Sequence, residues 1–138
     1  MPEYFTVLPD RAEFRPVGRF ALPVLVRMVS ESIAHAGLLG AKRLLIVGTG
    51  VEEMARPTDM DRVFIGQDWA RANSGNALRI ALVIPQHLIH PQKLGLLVAA
   101  NRGLTGEVFA EEEAALACLL YTSPSPRDQR GSRMPSSA

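Results

Sequence analysis

Thiols are almost missing from this sequence: Cys118 is the single cysteine in 138 residues. An intrachain disulfide and a cysteine-built metal cluster are thereby excluded, and residues 1–117 hold no thiol nucleophile. Long apolar runs are lacking as well, with nothing near the roughly 20 residues that span a bilayer, so the sequence predicts no transmembrane segment. The start of the chain has no basic stretch followed by an apolar run and a small-residue cleavage site. The expectation is an unexported, cytoplasmic protein, with which the scarcity of thiols is compatible.

An excess of charge of one sign is also lacking, once one segment is set apart. Residues 118–128 read Cys-Leu-Leu-Tyr-Thr-Ser-Pro-Ser-Pro-Arg-Asp, which resembles, residue for residue, the translation of a transposase-type sequencing adapter. Residues 132–138, Ser-Arg-Met-Pro-Ser-Ser-Ala, resemble in the same way the primer sequence that follows a sample index, and Gln129, Arg130 and Gly131 fall where the index sits. The expectation is therefore a single domain over residues 1–117 and an artefactual tail, extended and unpacked, over residues 118–138. The tail's three arginines against Asp128 supply +2 of the formal net charge of +1, which leaves residues 1–117 near −1. A nearly neutral body exerts no general pull on phosphates, and nucleic acid is not an expected partner.

What is present is a regular alternation of strand and helix signals. Residues 4–8 are aromatic and β-branched, Pro9-Asp10-Arg11 has turn chemistry, and residues 12–20 alternate, which together predict a hairpin. Pro16 removes an amide donor and suits an edge strand rather than a central one. Pro23 opens a helix expected over residues 23–36, with Leu25, Met28, Val29, Ile33 and Ala36 on one side and Gly37 as its stop. The apolar runs at residues 43–47 and 78–84 read as buried strands paired in parallel. Between them Thr58 and Asp61 form a capping box for a second helix, with Met60, Phe64 and Trp69 expected in or near the core. Pro91 begins a third helix closed by Gly103, residues 106–110 form a last strand, and Glu111, Glu112 and Glu113 start a final helix where the macrodipole favours carboxylates. The order ββαβαβαβα predicts an α/β domain with a mixed sheet of about five strands.

Candidate chemistry is sparse. Gly48-Thr49-Gly50 follows a strand as in a dinucleotide-binding turn, but Glu53 occupies the third glycine position and Pro57 interrupts the helix such a turn requires. A plain turn is the expectation, and no cofactor is implied. His87 and His90 are spaced to share a metal, yet no third ligand type stands near them, so no metal site is expected. Thr49 and Thr58 are the hydroxyls closest to the C-terminal strand edge, where α/β sheets place ligands. Thr49, Thr58, His87 and His90 are the candidate crevice for a partner or ligand, and no catalytic centre is expected.

Residues 78–84, the helix after Pro91, Glu107-Val-Phe109 and Glu113-Ala-Ala-Leu-Ala117 resemble the C-terminal half of small bacterial STAS-like and SEC14-like domains. Members close with a phenylalanine-ended strand and a helix ending Ala-Trp-Leu, and Cys118-Leu119 stands where Trp-Leu is expected. The resemblance implies the fold of anti-sigma-factor antagonists, no catalysis, and a surface for a protein partner or a small ligand. It also implies a phosphorylated serine at the start of the second helix, where this chain has Thr58 and no Asp-Ser-Ser-Gly signature. The expected function is a non-enzymatic regulatory or protein-interaction domain, with a lipid or metabolite carrier or sensor as the alternative.

Overall fold

In the computed structural model, residues 2–121 are described. The chain forms β1 (Phe5–Leu8), β2 (Arg11–Phe14), α1 (Leu22–Leu38), β3 (Arg43–Val47), α2 (Asp59–Ala72), β4 (Arg79–Val83), a single 3-10 turn (Gln86–Leu88), α3 (Leu94–Ala100), β5 (Thr105–Phe109) and α4 (Glu112–Tyr121). The five strands lie in sequence order in one mixed sheet. β1 and β2 are antiparallel, and β2 through β5 are parallel. This is the expected α/β fold with a five-stranded mixed sheet.

Alternation along the strands sorts the core onto two faces. Phe14, Leu44, Ile46 and Ile80 pack with Val29, Ile33 and Ala36 of α1, Ala70 of α2 and Ala99 of α3. Leu45, Val47, Ala81 and Val83 point the other way and meet Ala115 and Leu119 of α4. Burial on both sides is why β3 and β4 read as unbroken apolar runs. Each fully buried Leu, Ile or Val contributes about 1.5–3 kcal/mol, so these two strands anchor the sheet.

Several boundaries differ from the sequence expectation, each for a local reason. β2 ends at Phe14 rather than residue 20, so it can lie between β1 and β3 while Pro16 sits buried beyond its end, outside the ladder. α1 runs through Gly37 to Leu38, and the left-handed turn falls at Gly40, φ +74, where the amides of Gly40 and Ala41 cap the carbonyls of Gly37 and Ala36. Pro91 does not open α3. The chain first makes the 3-10 turn, then a turn in which the Lys93 amide donates to the His90 carbonyl, and the left-handed Lys93 (φ 52) delays the helix to Leu94. Met60 and Phe64 are not core residues, at 62% and 60% exposed.

α4 also passes Ala117. Residues 118–121 are helical, Leu119 is 2% exposed, and its carbonyl accepts the Arg43 Nε at 3.0 Å. The extended, unpacked course expected from Cys118 onward therefore does not hold for these four residues, because Leu119 continues the stripe that Ala115 begins. The rest of the segment, residues 122–138, lies outside the described residues.

Candidate functional site

The GTG turn after β3 is packed from below. A side-chain carbon on Gly50 would stand 3.0 Å from the Pro16 carbonyl oxygen, and the Gly18 amide donates to the Gly50 carbonyl at 3.2 Å. The glycine thus admits the 16–18 loop, a structural reason for its presence that involves no phosphate. Thr49 projects from this turn, exposed.

Thr58 caps α2. Its hydroxyl accepts the Asp61 amide at 3.0 Å, and Asp61 Oδ2 accepts the Thr58 amide at 2.9 Å, the reciprocal box read from the sequence. His90 Nδ1 accepts the Gln92 amide at 3.0 Å, so Nε2 carries the hydrogen and donates to Asp59 Oδ1 at 3.1 Å. His87 is exposed in the 3-10 turn, and its carbonyl accepts Arg56 Nη1. Thr49, Thr58, His87 and His90 all follow C-terminal strand ends, but among the described residues no threonine hydroxyl bonds either histidine. Among the described residues no three His, Cys, Asp or Glu side chains are grouped to hold a metal.

Beside these residues lies a cavity of about 120 Å³ that the sequence did not announce. Ile46, Leu82 and Val108 form part of its floor, and they are direct neighbours across β3, β4 and β5. Leu22, Leu25, Val26 and Val29 of α1 close one side, and Arg62, Ile65 and Trp69 of α2 close the other. Leu88, Ile89, His90, Lys93 and Leu96 complete the rim, so His90 alone of the four candidates lines it. A mainly apolar space of this size suits a small apolar guest; an engineered cavity of about 150 Å³ takes benzene.

Arg62 is the exception among these walls. It is 9% exposed, on the inner stripe of α2 with Gly66 and Ala70, a stripe that the buried C-cap residue Asn73 continues. Nη2 donates to the Leu88 carbonyl at 3.0 Å, while Nε is buried without a partner among the described residues. Burial and then the neighbouring Arg56 charge push its guanidinium below its ordinary value, with Asp59 opposing. A buried cation without a counter-ion is costly, by several kcal/mol for desolvation alone. Trp69 Nε1 is likewise buried and unpaired. The spacing of Arg62 with residues 66, 69, 70 and 73 is the sequence signal for this stripe, a weak one because arginine is so seldom an interior residue.

Fold and cavity together define an α/β domain with a mainly apolar cavity at the C-terminal strand edge. Compared with known proteins, the chain matches no family, no curated protein and no solved structure. Among the described residues no helix is long and apolar enough to cross a membrane.

Proposed function

We propose that this chain is a non-enzymatic, STAS-like regulatory domain of the cytoplasm that binds a small apolar molecule at the C-terminal edge of its sheet. The observation that carries the reading is the 120 Å³ cavity walled by α1, α2 and the sheet. The element order and the helices on both sheet faces support the STAS-like half of the proposal. A saturable change in Trp69 emission on titration with 1-hexanol tests it, since Trp69 lines the cavity and is the only tryptophan. Val29→Phe, which fills the space from α1, should abolish the response with the helical circular dichroism retained. An unsaturable response, equal in both proteins, speaks against the cavity as a binding site. His87→Ala and His90→Ala should both fold, and His87→Ala, which lies off the cavity wall, should bind as the wild type does.

A protein partner is the second reading, favoured by the exposed Met60 and Phe64 one turn apart on α2. They stand about 160–200° round the helix from Arg62. One helix then presents its inner side to a ligand and its outer side to a partner.

A further inference from the structure

Arg62 is more than nine-tenths buried, lines the cavity, and makes no ion pair within 4.0 Å among the described residues. The two acids before it in sequence are engaged elsewhere: Asp61 Oδ2 accepts the Thr58 amide at 2.9 Å, and Asp59 meets His90 at 3.1 Å. The other cations nearby are occupied: Lys93 Nζ meets Glu107 at 3.2 Å, and Arg56 meets the His87 carbonyl. Among the described residues a buried guanidinium thus lines a mainly apolar space with one of its donors, Nε, unpaired.

We infer that the ligand is a small carboxylic acid, its carboxylate seated on Arg62 and its apolar tail lying in the cavity; the inference rests on the small-ligand reading above. One unit of negative charge matches one guanidinium. A phosphate dianion would bring an uncompensated charge into a wall of Leu, Ile and Val, which is strongly unfavourable. The volume suits a tail of roughly benzene's size, about six carbons. Trp69 lies seven residues on, about 10.5 Å along the same side of α2, too far to share the head and well placed to report the tail.

Titration of the full chain with hexanoate and with 1-hexanol, followed by Trp69 emission in the wild type and in Arg62→Met, tests this. The wild type should bind hexanoate about tenfold more tightly than hexanol, a charge-assisted bond being the difference. Arg62→Met should lose that preference and keep its affinity for hexanol. Equal affinity of the wild type for both probes overturns the carboxylate and leaves the small-ligand reading intact, whereas binding of neither overturns both. A preference that survives Arg62→Met overturns the role of Arg62. If the variant does not fold, the wild-type comparison, with hexylamine expected to bind more weakly than hexanol, still decides the sign of the head group.

Discussion

Arg62 on α2 reaches the Leu88 carbonyl in the loop after β4 at 3.0 Å, and this bond joins the inner wall of the cavity to its rim. Two effects oppose each other at that contact: the bond itself, worth about 1.5–3 kcal/mol when one partner is charged, and the burial of the guanidinium without a counter-ion. Replacing a buried ion pair by apolar side chains of similar volume is often neutral or stabilising by about 1–4 kcal/mol, and an unpaired buried cation has no Coulombic partner to lose. Arg62→Met should therefore leave the ligand-free protein as stable as the wild type or more so in urea unfolding. A loss above about 2 kcal/mol would show that the tie to Leu88 outweighs the buried charge.

Thr58→Ala should cost about 0.5–2 kcal/mol, because two amide bonds at the start of α2 depend on the box with Asp61. Thr58→Asp should be nearly neutral, since aspartate caps as well. Unchanged stability of Thr58→Ala in thermal unfolding would contradict the cap.

Gly66 sits where α2 and α3 come closest. A side-chain carbon there would collide with the Gly95 carbonyl oxygen and stand 3.0 Å from Val98 Cβ. Alanine is the better helix former by about 1 kcal/mol, yet overpacking costs about 1–3 kcal/mol, so Gly66→Ala should destabilise or at best break even. A clear gain in stability would mean that the two helices are free to separate.

Arg15 holds Glu112 with both nitrogens, Nη1 to Oε1 at 2.9 Å and Nη2 to Oε2 at 2.5 Å, and so clips the start of α4 to the chain just beyond β2. The hydrogen bonds from Arg15, then the charges of Arg15 and Arg11, hold the Glu112 carboxyl below its ordinary 4.5, with burial opposing. A lowered folded value gives stability that is complete above the ordinary carboxyl range and is lost as pH falls through Glu112's own value. Glu112→Gln should be about 0.5–1 kcal/mol less stable near neutral pH, the pair being partly solvated, and the difference should vanish on acidification. A difference that persists unchanged in acid would assign it to packing instead.

Much of the architecture was legible because the strongest signals are local. The runs at residues 43–47 and 78–84 are apolar on both faces, and Thr58 with Asp61 states a helix start within four residues. What the sequence did not announce depends on distant contacts. Glu112 starts α4 as expected but also meets an arginine 97 residues away, Lys93 adopts a left-handed backbone where a helix start was expected nearby, and Met60 and Phe64 look like core residues until α2 is seen to turn Arg62 and Gly66 inward. Of the four candidate residues only His90 lines the cavity, which arises from side chains of α1, α2 and the sheet that no single segment encodes.

Thermal unfolding in the presence of straight-chain carboxylates of increasing length, each at the same concentration, probes the cavity and its arginine together. Stabilisation should grow with each methylene, corresponding to about fourfold tighter binding per group, until the 120 Å³ space is full, and should then stop growing. A Tm that is flat across the series, or that only falls as the chains lengthen, would contradict a ligand site between α1, α2 and the sheet.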